Sequence, residues 1–275
     1  MMKKLGIIAG KGQLPLLLIE ACQQQRRPFF VLRLDGYAAP LPANVPHATV
    51  RLGAMGKALN LLRKNQVKQI VMIGAVRRPS IWEVRPDWRA LCFLWKVGMR
   101  AGDDGLLKSI IKQIETEGFE VIGADQILTQ HLAYKGVYGK FQPSKQAWQD
   151  VKKGFAVAKT LGKADVGQAV IVAGGLVLGV EAIEGTDALI KRCQELHRRG
   201  PKGVLVKVKK PQQERRADLP TIGVDTVKQA ARCGLQGLAI EEGAAFVVRP
   251  QEVIKQADKL GLFVVGVNEQ CLKNK

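Results

Sequence analysis

A basic loop followed by an aspartate is the part of this sequence best suited to chemistry. Arginine pairs bidentately with phosphate oxygens and lysine supplies point charge, so such a loop could hold a diphosphate. Asp218 follows within a D-L-P turn, and the positive field would keep its carboxylate ionised to position a water molecule. A solvated basic loop without a ligand is the alternative. The cations of residues 207–216 are Lys207, Lys209, Lys210, Arg215 and Arg216, with Glu214 among them.

A second polar cluster, E-G-T-D at positions 184–187, lies between an apolar run and a helical pattern. A strand end followed by a helix start places these residues at the carboxyl edge of a sheet, where α/β proteins bind ligands. Thr186 is predicted to cap a helix from Ala188 to Arg199. Glu184 and Asp187 supply carboxylates for phosphate or metal chemistry, although Asp187 could instead only complement the helix dipole.

Glycines near the N-terminus form a third candidate site. The run Leu5 to Ala9 is followed by G-K-G-Q at 10–13, a helical pattern and a second strand, which is a βαβ start. Such a turn aims the amides of Gly10, Lys11, Gly12 and Gln13 at a phosphate. The dinucleotide fingerprint is only partly matched. Asp35 could bind a ribose, but Pro15 stands where the third glycine belongs, and a plain tight turn remains the alternative.

Two further segments could contribute to a site. The buried strand 69–73 ends in G-A-V-R-R-P, so Ala75 and Val76 are candidate binding residues, while Arg77 and Arg78 taken alone favour a solvated loop exit. In G-D-D-G at 102–105, Asp103 and Asp104 favour a helix cap and a dipole partner. Paired acids can also bind a divalent ion.

Alternating apolar runs and helical patterns predict an α/β fold with two domains. The first, residues 1–133, is a Rossmann-like domain with a parallel sheet. Residues 134–143, rich in Gly, Tyr and Lys, form a predicted linker. Residues 144–275 form a second α/β domain, with a helix from Ser144 to Leu161, a hairpin around Gly174-Gly175 and a strand over 203–208.

Composition restricts the function classes. The 275 residues carry a formal charge of +19, which favours an anionic partner: nucleic acid, a membrane surface or a phosphorylated substrate. Aromatic residues are only 5% of the chain and do not alternate with the cations, which disfavours nucleic acid. No P-loop or G-x-S-x-G elbow occurs, so a P-loop ATPase and a serine hydrolase are disfavoured.

Cysteine and histidine positions disfavour a disulfide framework and a zinc site. The five cysteines are scattered, and the three histidines share no metal-ligand spacing. No signal peptide or membrane span is predicted. We therefore expect a cytoplasmic protein for which peripheral membrane contact is allowed. A homodimer is a further candidate assembly.

Four motifs in order resemble the LpxI-type UDP-2,3-diacylglucosamine pyrophosphatases of lipid A biosynthesis. The resemblance spans nearly the whole chain and implies hydrolysis of the substrate diphosphate to UMP and 2,3-diacylglucosamine 1-phosphate. It also implies an active site in a cleft between two domains, a divalent cation, Mg²⁺, and an apolar tunnel for the acyl chains in the second domain. The motifs are L-G-I-I-A-G-K-G-Q-L-P (5–15), G-D-D-G (102–105), E-G-T-D (184–187) and Q-Q-E-R-R-A-D-L-P-T-I-G (212–223).

The resemblance assigns roles to individual residues. Asp218 matches the essential aspartate of the family and is the predicted catalytic residue. The family motif does not say which carboxylates bind the ion, and the candidate metal ligands of this chain are Asp218, Asp187 and Asp104. By the same resemblance the predicted substrate-binding residues are Gly10, Lys11, Gly12, Gln13, Ala75, Val76, Glu184, Gly185, Thr186 and Asp187. The charge of the basic loop adds Lys207 and Arg216 as predicted ligands of the diphosphate.

Two other functions remain open at this point. The βαβ start with Asp35 is compatible with a nicotinamide-dependent oxidoreductase, which NAD(P) would protect against thermal unfolding. The basic loop is compatible with a non-enzymatic nucleic-acid binder, whose binding would be salt-sensitive. The grouping of the cations beside D-L-P and E-G-T-D, rather than along one helix, disfavours the second alternative.

Overall fold

The structure is a computed structural model that describes residues 2–38, 40–76, 86–97, 103–196 and 200–273. The chain divides into two compact units. The first contains residues 1–129 and Glu214–Asp218, and the second contains residues 130–213 and 219–275. The short segment Glu214–Asp218 therefore packs with the first unit, although both neighbouring segments of the chain belong to the second.

The first unit is built on a parallel sheet. Its strands are β1 (Leu5–Ala9), β2 (Phe29–Leu34), β3 (His47–Val50), β4 (Gln69–Ile73) and β5 (Glu120–Val121). Its helices are α1 (Leu14–Gln24), α2 (Met55–Lys64), α3 (Trp88–Val97) and α4 (Asp103–Thr116). The strand order β3-β2-β1-β4-β5 reverses between β1 and β4, which creates the crevice where parallel α/β sheets bind ligands.

The strands of the first unit are nearly continuous apolar runs because helices cover the sheet. Leu5 and Ile7 of β1 are fully buried. One apolar cluster joins the apolar side of α2, through Leu62, to α4, through Ile111. The amphipathic spacing of these helices therefore sets which side of each faces the sheet.

The second unit contains a six-stranded mixed sheet and a short two-stranded one. Its strands are β6 (Gly136–Val137), β7 (Ala169–Ala173), β8 (Leu176–Val180), β9 (Val204–Lys207), β10 (Thr221–Ile222), β11 (Gly237–Glu241), β12 (Phe246–Val247) and β13 (Phe263–Val267). Its helices are α5 (Lys145–Lys163), α6 (Thr186–Cys193), α7 (Val224–Arg232), α8 (Pro250–Leu260) and α9 (Glu269–Lys273). A short 3-10 helix lies at Gln194–Leu196. Two others lie at Ala124–Gln126, in the first unit, and at Thr129–His131, where the chain passes from the first unit to the second.

The larger sheet has the order β6-β13-β11-β9-β7-β8 and carries a separate core on each face. Leu189 of α6, Val227 of α7 and Val253 of α8 belong to one apolar cluster. Val151 of α5 and Leu272 of α9 belong to the other. The strands between these two layers are apolar on both sides, as expected for a sheet that helices cover twice.

The predicted α/β class and the parallel N-terminal sheet are confirmed, and most elements agree with the prediction within two residues. The hairpin at Gly174-Gly175 is present, because β7 and β8 pair antiparallel across that turn. Its second strand ends at Val180. Residues 136–137, inside the predicted linker, form β6 and pair with β13. Where the chain separates into independently folding domains stays a prediction.

Among residues 2–38, 40–76, 86–97, 103–196 and 200–273, no helix combines the length and the apolar character that a membrane span requires.

Candidate active site

A polar pocket of about 310 Å³ lies in the second unit, at the carboxyl end of β9. Five of the residues that line this pocket were predicted from the sequence as site residues. The structure brings these five together with two threonines that were not predicted. The lining residues are Glu184, Gly185, Thr186, Asp187, Lys207, Thr221 and Thr226.

Strand directions explain why E-G-T-D and Lys207 meet. Strand β7 pairs antiparallel with both β8 and β9, so β8 and β9 run in the same direction. The loop after Val180 and the end of β9 at Lys207 therefore reach the same edge of the sheet. Residues 21 positions apart in sequence become neighbours there.

The loop after β8 turns into α6 at Gly185. This residue has a φ of +81°, a left-handed conformation that favours glycine, and it is the N-cap of α6. The helix begins at Thr186, so the predicted start at Ala188 and the predicted capping role of Thr186 are wrong. The Thr186 hydroxyl instead lies 2.5 Å from Glu181 Oε1. The predicted helix end at Arg199 lies outside the described residues.

Lys207 is the buried cation of the pocket. Its side chain reaches the pocket from the last residue of β9, and the residue is only 9% exposed. The ammonium donates to Thr186 Oγ1 at 2.9 Å and to the carbonyl oxygen of Thr221 at 3.1 Å. A desolvated cation held in this way is a strong partner for a phosphate oxygen.

Glu184 lines the pocket but is held by groups of its own segment. Its Oε1 accepts from the Arg192 guanidinium at 2.9 Å and 3.1 Å, and its Oε2 accepts from the Ala182 amide at 3.1 Å. Its own backbone amide and Arg192 hold the pKa of the Glu184 carboxyl below its ordinary value. Glu184 therefore anchors the turn before α6, and its role as a substrate ligand stays a prediction.

The glycine turn and the segment after β4 meet in the first unit, at the reversal between β1 and β4. Lys11 and Ala75 form an antiparallel bridge with two backbone hydrogen bonds of 2.8 Å and 2.9 Å. A Cβ on Gly10 would lie 2.8 Å from the carbonyl oxygens of Gly74 and Ala75, so only glycine permits this approach. Val76 follows as an exposed residue.

This bridge changes which amides of the turn can bind a phosphate. The Gly10 amide donates to the Ile73 carbonyl and the Lys11 amide to the Ala75 carbonyl. Within the described part of the chain, the amides of Gly12 and Gln13 have no main-chain acceptor. A phosphate role for the turn is therefore restricted to the amides of Gly12 and Gln13 and to the Lys11 side chain, which lies 5.7 Å from the centre of the Tyr37 ring.

The cations of the basic loop, Lys207 apart, are occupied by protein oxygens. Arg215 pairs with Asp125 at 2.5 Å, and Lys210 pairs with Asp165 at 2.6 Å. Arg216 pairs with Glu115 at 2.7 Å and with Glu214 at 3.0 Å. Lys209 Nζ donates to the Lys210 carbonyl. These bonds fasten the loop, and Arg216 as a phosphate ligand stays a prediction.

Asp218 lies at the end of the segment that packs with the first unit. It is exposed, and its amide donates to the Glu214 carbonyl at 3.1 Å. Hydrogen bonding to Arg216 holds the pKa of the neighbouring Glu214 carboxyl below its ordinary value. The segment therefore presents Asp218 from a turn fixed by ion pairs, and the catalytic role of Asp218 stays a prediction.

Comparison with known proteins decides the family. The family model described as the LpxI N-terminal domain matches residues 4–131, and the LpxI C-terminal domain model matches residues 134–265. The chain belongs to the LpxI family. A protein of Caulobacter vibrioides named UDP-2,3-diacylglucosamine pyrophosphatase LpxI is 43% identical over 277 residues, which cover 98% of this chain and 99% of that protein.

Solved structures with some similarity to this LpxI-family chain are distant. CobK precorrin-6A reductase is 10% identical, with 96% of this chain and 87% of that chain covered and a TM-score of 0.32. N5-carboxyaminoimidazole synthase of Aspergillus clavatus is 14% identical with a TM-score of 0.25, and the match covers 73% of this chain but less than half, 45%, of that one. At these TM-scores the likenesses carry no argument about function.

A divalent cation is implied by the LpxI family, so we tested whether the pocket could hold one. Within the described ranges, no group of three or more His, Cys, Asp and Glu side chains comes together. In the pocket, the hydroxyl of Thr186 and the carbonyl of Thr221 already converge on the Lys207 ammonium. This donor set fits an anion rather than a metal ion. The side chain of Asp104 lies outside the described residues.

Three residues of the pocket region escaped sequence reasoning. Thr221 follows D-L-P by one residue, and a hydroxyl directly after a proposed catalytic motif was a usable signal. Thr226 lies in the first turn of α7, where its hydroxyl accepts from the Gly223 amide at 3.3 Å. Glu181 gave no local signal, because it directly follows an apolar strand and the Gln168 amide that it accepts from lies 13 residues away.

Proposed function

We propose that this LpxI-family chain is a UDP-2,3-diacylglucosamine pyrophosphatase, which hydrolyses the diphosphate to UMP and 2,3-diacylglucosamine 1-phosphate. The observation that carries the proposal is the 43% identity with the Caulobacter pyrophosphatase along 98% of the chain. Identity of this extent over both domain models supports a shared substrate as well as a shared fold.

The pocket of the second unit supports a phosphate-binding role within this function. Hydrolysis of a diphosphate requires positioning and charge neutralisation more than covalent chemistry from the protein. Lys207 offers a buried cation and Thr226 offers a hydroxyl group, whereas the Thr221 hydroxyl already donates to the Leu219 carbonyl at 3.1 Å. We assign one phosphate group of the substrate to this pocket.

Asp218 is the proposed base that activates water. Only Leu219 and Pro220 separate it from Thr221, so the covalent chain limits the distance between the Cα atoms of Asp218 and Thr221 to about 11 Å. An exposed carboxylate at this point of the chain supports attack on a phosphate held beside Thr221. The Mg²⁺ that the family resemblance implies stays a prediction, with Asp218, Asp187 and Asp104 as its candidate ligands, and no step is assigned to the ion.

A lipid-linked substrate also requires contact with apolar chains and with a membrane. Ile183, which directly precedes Glu184, is fully exposed, and Leu176 and Val177, at the other end of β8, are 54% and 38% exposed. These apolar side chains support acyl-chain contact, and the formal charge of +19 supports docking at the anionic surface of the inner membrane from the cytoplasm. The apolar tunnel and a homodimer stay predictions.

The test is release of UMP from UDP-2,3-diacylglucosamine by the purified chain, with and without EDTA. We expect UMP and the lipid 1-phosphate in equal amounts, and loss of turnover with EDTA that Mg²⁺ restores. Absence of UMP under all conditions would contradict the proposed function. Turnover that EDTA leaves unchanged would contradict the metal requirement but not the proposed hydrolysis. Thermal protection by NAD(P) but not by UDP would instead favour the oxidoreductase alternative.

A further inference from the structure

Glu181 is a buried carboxylate beside the pocket that no part of the proposed reaction uses. It is 6% exposed and follows directly after β8, where its amide continues the pairing with β7 by donating to the Ala169 carbonyl at 2.8 Å. One carboxylate oxygen accepts from the Gln168 amide at 3.1 Å, and the other lies 2.5 Å from Thr186 Oγ1. A buried carboxylate is costly unless such partners compensate it.

The chemistry of these groups fixes the direction of the hydrogen bonds. A carboxylate only accepts, so the single hydroxyl hydrogen of Thr186 points to Glu181. The same hydroxyl oxygen then accepts from Lys207 Nζ at 2.9 Å, because an ammonium group only donates. Lys207, Thr186 and Glu181 therefore form a one-directional chain of two hydrogen bonds.

This chain leaves Lys207 with one donor for a ligand. Two of its three N–H groups bond Thr186 Oγ1 and the Thr221 carbonyl. The residues that the structure describes supply no acceptor for the third N–H, and Lys207 lines the pocket. Two fixed bonds define the direction of the remaining N–H group.

We propose that Glu181 is a positioning residue that acts through Thr186 to fix the Lys207 ammonium, so that its third N–H donates to a phosphate oxygen in the pocket. The inference rests on the proposed function for the identity of that phosphate as part of a nucleotide-linked diphosphate. The negative charge of Glu181 offsets the buried positive charge of Lys207, and a donor held in place before the ligand arrives needs little reorganisation.

The competing explanation is that Glu181 only fastens the turn before α6. Both explanations predict that loss of Glu181 lowers kcat/KM and weakens UDP binding, so the Glu181 variant alone does not distinguish them. The energetic coupling between Glu181 and Lys207 does distinguish them. If Glu181 acts through Lys207, then its replacement should have no effect once the ammonium is gone, whereas a purely structural loss should multiply with the loss of Lys207.

The experiment is a double-variant cycle of Glu181→Gln and Lys207→Met, read by kcat/KM for UMP release and by the Kd of UDP from calorimetry. We expect Lys207→Met to lower kcat/KM by about 10²- to 10³-fold. Glu181→Gln alone should lower kcat/KM and weaken UDP binding by about tenfold, because a neutral amide replaces a charged acceptor. In the Lys207→Met background, Glu181→Gln should change either quantity by less than about twofold.

Two sets of controls separate positioning from folding. Asp150→Asn alters another fully buried carboxylate of the second unit, which accepts from the Gly174 and Gly175 amides and does not line the pocket, so it should leave UDP binding unchanged. Thr186→Ser keeps the hydroxyl and should retain near-normal UDP binding, whereas Thr186→Val should reproduce the Glu181→Gln loss. If Lys207→Met does not fold, then Glu181→Gln in the Thr186→Val background gives the same test.

The positioning role is overturned if kcat/KM and the Kd of UDP in Glu181→Gln stay within twofold of the unaltered protein. It is also overturned if the Glu181→Gln effect is as large in the double variants as in the unaltered protein, or if Thr186→Ser and Thr186→Val bind UDP equally well. Absence of UDP binding to the unaltered protein also overturns it. Failure of the proposed function is distinguishable, because a chain that binds UDP but releases no UMP still permits the binding cycle. In that case the Lys207 site would bind phosphate in a different reaction.

Discussion

Lys207 Nζ and Thr186 Oγ1 lie 2.9 Å apart, and this contact joins the end of β9 to the first residue of α6. It brings together two motifs that are 21 residues apart in sequence. Because Lys207 is buried and Thr186 lines the same pocket, the contact places a fixed cation beside the start of a helix.

Replacement of Asp218 tests the proposed base. Asp218→Ala should lower kcat for UMP release by about 10²- to 10⁴-fold, the usual contribution of a general base. Because Asp218 is exposed, the melting temperature of the Asp218→Ala variant should stay close to that of the unaltered protein. Glu252→Ala, which removes another exposed carboxylate, is the control and should retain normal turnover. Undiminished kcat in Asp218→Ala would exclude Asp218 as the base.

Replacement of Asp187 separates a role in the pocket from a role in the helix. Asp187 and Asp225 are both exposed acids at the second position of a helix, in α6 and α7, but only Asp187 lines the pocket. Each change to Ala should cost roughly 0.3 to 1 kcal/mol of stability through the helix dipole. Asp187→Ala should also lower kcat/KM by about 10²-fold. Equal and normal rates in the two variants would leave Asp187 a dipole partner only.

The ion pair of Glu214 with Arg216 makes stability depend on pH. Hydrogen bonding to Arg216 lowers the pKa of Glu214 below its ordinary value of 4.5, so the folded state binds the proton more weakly than the unfolded state. The stabilisation is therefore complete above pH 4.5 and is lost as the pH falls through the lowered pKa.

Urea unfolding between pH 7 and pH 3 checks this effect. Glu214→Gln should reduce the free energy of unfolding at pH 7 and should flatten its decline below pH 4.5. Glu252→Gln is the comparison, because Glu252 is exposed and its Oε1 lies 3.4 Å from Arg249 Nη1, a longer contact than the one between Glu214 and Arg216. An unfolding free energy that declines identically in Glu214→Gln and the unaltered protein would contradict the assignment.

Burial should protect one cysteine from modification. Burial raises the pKa of the Cys22 thiol to about 11, against a smaller opposing effect of Arg27. At pH 8 the native protein should therefore leave Cys22 unmodified by a disulfide reagent, because the thiolate is the reactive form. The less buried Cys92 and Cys271 should react first. Peptide mapping by mass spectrometry reads the sites, and early labelling of Cys22 would contradict the prediction.

The sequence by itself determined the α/β class, most strand and helix positions, the family resemblance and five of the seven lining residues of the pocket. These features are local. Apolar runs, helical periods and glycine turns act over a few residues, so the strands Leu5–Ala9 and Gln69–Ile73 could be predicted directly. Short elements without a strong period, such as β6 and β10, were missed for the same reason.

Only the tertiary structure decided which polar groups are partners. Lys207 reaches Thr186 because β8 and β9 run in the same direction on either side of β7. The arginines of the basic loop are ion-paired because Glu214–Asp218 packs with the first unit, where Glu115 and Asp125 lie. Hydrogen bonds act over about 3 Å, so strand order and packing select their partners, and neither is written in the local pattern of the chain.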